Sequence, residues 1–250
     1  METVLVQKEW FESWFDSSYY PLLYHNRNQE EAALFVEQLM QYFKPAKGSR
    51  VLDAGCGEGR FAHQLAQYGL NVVGIDIAAS GIQKAKQIEN NALDFFVHDM
   101  RKPFLVRYFD YVLNFFTSFG YFDHPRDHYL AARSFASSLK PDGIVVIDYL
   151  NKTKVIPNLV EEEIVEKHGI TFHINRYFQQ GKIVKEIHLQ DEKGEMHHFK
   201  EEVAAFSLAD FEKIFQKVGM DLRVTFGDYQ LNPFVEESSE RMIMVFQKIN

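Results

Sequence analysis

Short apolar runs alternate with helical spacings through the middle of the chain. Val51 and Leu52 belong to one run, residues 71–75 form a β-branched run ending at Asp76, and residues 93–97, 109–114 and 144–149 form three more. Between the second and third runs, Ser80 opens a pattern with apolar residues at Ile82, Ala85 and Ile88. A longer helix is predicted over 126–139, and Lys140, Pro141, Asp142 and Gly143 predict a turn before the fifth run. Strands of this length alternating with helices read as an α/β sheet wound on both faces. From about residue 152 the period changes. Partial alternation over 164–167, 170–179, 182–190 and 196–206, punctuated by Gly169, Gly181 and Gly194, predicts a small antiparallel insert. Ser207 with Asp210 three residues later restarts a helix that Gly219 stops, and strands over 222–226 and 241–247 follow. Upstream lie Trp10, Phe11, Trp14 and Phe15, then Tyr19, Tyr20 and Tyr24, then a helix with Asn28 as its cap and Glu31 three residues on. Its apolar face is expected at Leu34, Phe35, Leu39 and Phe43. The chain therefore divides into an amino-terminal helical unit (1–44), an α/β domain (45–151 and 207–250) and an antiparallel insert (152–206).

Candidate chemistry begins where the first strand ends. Gly55, Gly57 and Gly59 stand at alternate positions, with Asp53 two residues ahead and Arg60 directly after. Glycine lets the main chain turn with positive φ and approach a ligand closely. A dinucleotide fingerprint would place its third small residue where Arg60 stands. An acidic residue ahead of the loop suits a ligand carrying positive charge. The second strand ends at Asp76, about twenty residues on, where a carboxylate can accept from both ribose hydroxyls. That requirement is shared by nicotinamide and adenosyl-sulfonium cofactors, so Asp76 indicates a ribose without naming the cofactor. His98, Asp99 and Met100 follow the third strand. After the fourth, residues 115–122 form an aromatic loop with Thr117, Ser118 and Gly120 between the rings, suited to a pocket wall or to core packing.

Acidic-x-Gly-x-Gly-x-Gly after a strand resembles motif I of the class I S-adenosylmethionine-dependent methyltransferases. The 115–122 loop and the sequence Leu139, Lys140, Pro141, Asp142, Gly143 are similar to the small-molecule members, sugar N-methyltransferases included. The resemblance implies a Rossmann-like, doubly wound seven-stranded sheet, mostly parallel with an antiparallel last strand, and it implies S-adenosylmethionine as cofactor with S-adenosylhomocysteine as product. Carried onto this sequence, it assigns Asp53, Gly55 and Gly57 to the methionine end of the cofactor and Asp76 and Ile77 to the ribose. Asp99 and Met100 fall to the adenine, and Asn114 and Phe115 to the wall after the fourth strand. It also implies an amino-terminal lid, with Tyr20 and Tyr24 covering the methionine end. Inserts at this point in the family roof the substrate pocket or make a homodimer contact, and both remain open.

Composition narrows the partners. A formal net charge of −8 offers no broad basic face for phosphate backbones, so no nucleic-acid partner is expected. A single cysteine, Cys56, excludes a disulfide framework and fits a reducing compartment. No run reaches membrane-spanning length and no basic-then-apolar leader opens the chain, so no membrane partner and a cytoplasmic location are expected. His197 and His198 are neighbours on a strand and point to opposite faces, and no metal site is expected. The remaining cue concerns the methyl acceptor, a small molecule. An unprotonated amine needs no base, whereas an oxygen or ammonium acceptor needs one, for which Tyr121 and His124, with His128, are the nearest groups. The alternatives to an N- or O-methyltransferase are an NAD-dependent oxidoreductase and a non-catalytic nucleoside-binding module.

Overall fold

The computed structural model describes residues 9–24 and 29–249, so the expected cap Asn28 lies outside the described residues. Seven strands form one sheet: β1 (Arg50–Ala54), β2 (Asn71–Asp76), β3 (Leu93–Val97), β4 (Phe109–Asn114), β5 (Leu139–Leu150), β10 (Met220–Phe226) and β11 (Arg241–Lys248). Their order is β10-β11-β5-β4-β1-β2-β3. The five strands β1 to β5 pair in parallel, and β11 runs antiparallel between β5 and β10. Parallel strands with helices on both faces are buried on both sides, which is why their sequences read as continuous apolar runs rather than alternation. On β1, Val51 and Leu52 enter separate core clusters on opposite faces. One cluster packs under α6 (Pro125–Ser138) and α8 (Leu208–Gln216), the other under α3 (Gln29–Phe43) and α4 (Arg60–Gln67).

The sheet order reverses between β1 and β4, which sends the chain away in opposite directions and leaves a crevice at the carboxyl ends of these strands. The remaining four strands, β6 (Glu162–Lys167), β7 (Ile170–Gln179), β8 (Lys182–Gln190) and β9 (Met196–Ala204), form an antiparallel meander. One face of it carries Ile170, Phe172, Ile174, Ile187 and Leu189, which pack around Trp14 and beneath α1 (Trp10–Phe15) and α2 (Tyr19–Leu23).

Three details differ from the sequence reading. Residues 140–143 lie inside β5 as a bulge, between the pairs Phe109 with Leu139 and Tyr111 with Ile144, so the expected turn bends a strand instead of preceding one. On α3 the buried stripe is Ala32, Phe35, Val36 and Leu39, while Leu34 is 37% exposed; the buried set repeats at i, i+3, i+4 and i+7. The amino-terminal unit 1–44 also divides. Helices α1 and α2 lie against the insert, whereas α3 is part of the α/β core beside α4.

Candidate functional site

The crevice contains a cavity of about 790 Å³ whose lining comes from the glycine loop, the ends of β2, β3 and β4, and the two amino-terminal helices. Within the loop, Gly57 has φ +54°, and a Cβ there would meet nothing within 4 Å, so its main chain faces open cavity. Gly59, at φ +83°, has a different duty: a Cβ would strike the Phe95 ring at 2.5 Å. It packs α4 against β3, the task that a dinucleotide fingerprint gives to the position occupied here by Arg60. Gly55 and Cys56 donate their amides to the Ile75 carbonyl at 2.8 and 3.0 Å, which seats the loop on β2.

Asp76 ends β2 at the cavity wall. Its Oδ2 accepts the Gly57 amide at 2.8 Å and its Oδ1 accepts the Ala78 amide at 2.9 Å. Burial raises its pKa, and those amides oppose the rise. Each carboxylate oxygen has lone-pair capacity left for a hydroxyl from the cavity. Ile77 lies beside it in the wall, and Asp99 and Met100 line the next stretch. Asp99 is held by Arg101, whose Nε lies 3.0 Å from both carboxylate oxygens and whose Nη2 reaches Glu9 at 2.6 Å. Burial alone would lower the Arg101 pKa, but these carboxylates raise it and keep the cation fixed.

The loop after β4 closes the opposite wall. Phe115, Phe116, Ser118, Tyr121 and Phe122 all line the cavity. Phe116 and Thr117 have φ of +56° and +63°, conformations that cost about 1–3 kcal/mol each for residues with side chains. Asp148, at the end of β5, holds them: its Oδ2 accepts the Phe116 amide at 2.8 Å and its carbonyl accepts the Thr117 amide at 2.9 Å. Arg241 donates to Asp148 Oδ1 at 2.7 Å and to Thr117 Oγ1 at 3.0 Å, and the Tyr229 hydroxyl donates to Asp148 Oδ2 at 2.9 Å. The sequence reading missed this brace. Its signals were an aspartate interrupting the apolar run near the end of β5 and an arginine opening the last strand.

Helices α1 and α2 cover the cavity, with Phe11, Phe15, Tyr20 and Tyr24 in its lining. They are tied on three sides. Glu9 pairs with Arg101, Asp16 Oδ1 accepts the Ser80 amide at 2.7 Å, and Glu201 of β9 accepts from Trp14 Nε1 at 2.6 Å and from the Tyr24 hydroxyl at 2.7 Å. Lys185 of β8 donates to the same Tyr24 hydroxyl at 2.6 Å.

Three expected residues stand elsewhere. His124, expected as a base, is exposed at the N-cap of α6 and stands outside the lining. Asp53 and Asn114 lie beneath the floor. Asn114 donates to the Ala54 carbonyl at 2.6 Å, while its Oδ1 is buried without a partner among the described residues. Asp53 is 1% exposed, its Oδ2 is likewise unpartnered, and burial, then the Asp76 charge, push its pKa up to about 7. Burial also raises the Cys56 thiol well above its ordinary value, which favours the protonated thiol over the thiolate. His128 is buried against Phe119, Phe122 and Phe206, and burial lowers it to about 4. Among the described residues no helix is long and apolar enough to cross a membrane.

A family model described as a methyltransferase domain matches residues 24–223. The ubiquinone biosynthesis O-methyltransferase of Pelagibacter ubique is 31% identical over 153 residues, 57% of this chain and 61% of that protein. The chain thus matches less than two thirds of that relative's length, and about half of two further relatives of the same name. The dTDP-3-amino-3,6-dideoxy-alpha-D-glucopyranose N,N-dimethyltransferase of Streptomyces fradiae is 26% identical over 185 residues, 70% of this chain and 71% of that protein. In fold, the chain superimposes with a TM-score of 0.78 on an S-adenosylmethionine-dependent methyltransferase from Clostridium acetobutylicum, at 16% identity, covering 93% of this chain and 96% of that one.

Proposed function

The chain belongs to the methyltransferase-domain family, and we propose that it transfers a methyl group from S-adenosylmethionine to a nitrogen or oxygen of a small molecule. The observation that carries this reading is the lidded cavity, which runs from Asp76 and Asp99 past the open face of Gly57 to the aromatic wall at Tyr121. A side chain at position 57 would occupy the space into which the main chain now faces, so the loop fits a close-lying cofactor. In this reading Asp76 receives the ribose hydroxyls, Asp99 and Met100 border the adenine, and Gly55 and Gly57 face the amino-acid tail. Asp53 lies beneath them, where a cationic ligand would favour its charged form over the protonated form that burial promotes, and Asn114 and Phe115 fix the edge of β4 behind it. When bound, the cofactor supplies a methyl group on a sulfonium whose positive charge vanishes on transfer.

The chain's own contribution is alignment and exclusion of water. Phe11, Phe15, Tyr20 and Phe122 give the acceptor side an apolar lining, and the ties at Glu9, Asp16 and Glu201 hold the cover shut. Tyr121 is the hydroxyl placed to orient an acceptor or take its proton, packed edge-on to Trp10 at 5.4 Å. The relatives include a ubiquinone biosynthesis O-methyltransferase and an amino-sugar N,N-dimethyltransferase, which supports an oxygen or an amine nitrogen as acceptor. An NAD-dependent oxidoreductase has no support in these relatives. A cytoplasmic location is part of the proposal, and so is a homodimer through the insert, supported by exposed Ile164 and Met196 on one face of it. Calorimetric titration tests the cofactor assignment: S-adenosylhomocysteine is expected to bind one per chain and NAD not at all. Binding of NAD without S-adenosylhomocysteine would overturn it.

A further inference from the structure

The outer face of the insert, turned away from α1 and α2, gathers imidazoles that are far apart in sequence. His173 of β7 pairs with His188 of β8, and His188 pairs with His198 of β9, so three histidines stand in one row across three adjacent strands. Directly opposed residues of an antiparallel pair share a face, with Cβ atoms about 4.5–5.5 Å apart. The His188 and His198 rings stack at 4.3 Å between centroids and 6° between planes. Glu186, two residues before His188 on the same face, brings one carboxylate, and the ligand atoms of Glu186, His188 and His198 all lie within 4.8 Å of one another. Among the described residues neither of these two rings makes a hydrogen bond, and Glu186 accepts only from the Tyr177 hydroxyl at 3.0 Å. Lys200, which pairs with Glu186 across the sheet, is drawn instead to Glu202.

We propose that Glu186, His188 and His198 form a binding site for a divalent transition metal ion of the zinc class. Two imidazoles and a carboxylate are the donor set of zinc, cobalt, nickel and copper rather than of magnesium or calcium, which take oxygen ligands. Zinc–nitrogen bonds of about 2.0–2.1 Å set tetrahedral ligand atoms roughly 3.3 Å apart, within reach of rotamer adjustments at a half-buried face. Binding there clamps β8 to β9, the two strands whose opposite face carries Lys185 and Glu201, the ties of the lid. A second group, Asp191, Glu195 and His197, is already committed. Asp191 Oδ1 accepts the Lys193 and Glu195 amides at 2.9 and 2.8 Å, and its Oδ2 faces Tyr19 and His197. That group serves as the internal control.

The test is isothermal titration of tag-free, metal-stripped full-length protein with zinc chloride in a non-chelating buffer. One zinc per chain is expected, with a rise in melting temperature. His188→Ala and His198→Ala should each weaken binding by at least about 100-fold, beyond the 10–100-fold typical of outer-shell changes. His197→Ala should leave it unchanged, and retained S-adenosylhomocysteine binding or an unaltered circular dichroism spectrum shows that each variant is folded. Absence of zinc uptake by the wild type overturns the proposal, as does zinc binding that survives His198→Ala but not His197→Ala. Neither result bears on the methyltransferase reading, which has its own ligand.

Discussion

Asp76 accepts two main-chain amides, one from Gly57 in the glycine loop and one from Ala78 two residues on. Hydrogen bonds to a charged group contribute about 1.5–3 kcal/mol, so Asp76→Asn should weaken S-adenosylhomocysteine binding by roughly 10- to 150-fold, measured by calorimetry. Asp53 differs in kind, because its effect is on the folded state. An unfolded aspartate titrates near 3.9, whereas burial holds Asp53 at about 7. Between those values the folded protein keeps a proton that the unfolded chain has released. Stability should therefore fall as pH rises through that window and level off above it. Urea midpoints across the window should show a flatter profile for Asp53→Asn than for wild type. Both aspartates were legible from position alone, one before the glycine loop and one at the end of the next strand. Their surroundings were not, because a carboxylate's partners come from segments that only the fold brings together. Arg101, for example, joins Asp99 to Glu9 across 92 residues.

Among elements, the brace at the ends of β5 and β11 holds the strained loop of Phe116 and Thr117. Asp148 is fully buried, and Arg241 is its ion-pair partner at 2.7 Å. Removing one member of such a pair leaves a buried charge uncompensated. Arg241→Ala should cost about 3 kcal/mol in urea denaturation and also reduce S-adenosylhomocysteine affinity, because the cavity wall loses its support. The same change at exposed Arg223, whose side chain among the described residues bonds only to half-buried Gln247, should cost little. The strands of the insert were readable because antiparallel strands with one wet face alternate. The bulge in β5 was not, since Pro141 and Gly143 carry the same local signal whether the chain turns out of the sheet or kinks within it. Gly59 shows the same limit: its spacing marked a ligand loop, yet its contact is Phe95, a residue of another strand.

For the molecule as a whole, the lid is the feature that connects sheet and insert. Glu201 receives Trp14 and Tyr24 together, so Glu201→Ala removes the acceptor of the Trp14 indole and one of the anchors that hold Tyr24. The expected outcome is a raised KM for the methyl donor with a smaller change in kcat, while the melting temperature without ligand falls only modestly. The fold class and the order of its elements followed from the alternation of strand and helix. The seven-stranded, mostly parallel sheet with an antiparallel last strand came from resemblance to a known family, and the crossing between β1 and β4 only from the structure, because strand order is a matter of long-range pairing that no local pattern encodes. The central claim is methyl transfer to a small molecule, and it is tested most directly by incubating the purified protein with methyl-labelled S-adenosylmethionine and a low-molecular-weight metabolite extract, with Asp76→Ala as control. Label is expected in a small product that the wild type makes and the variant does not. Label that stays on the donor with every extract tried, despite measurable donor binding, would contradict it.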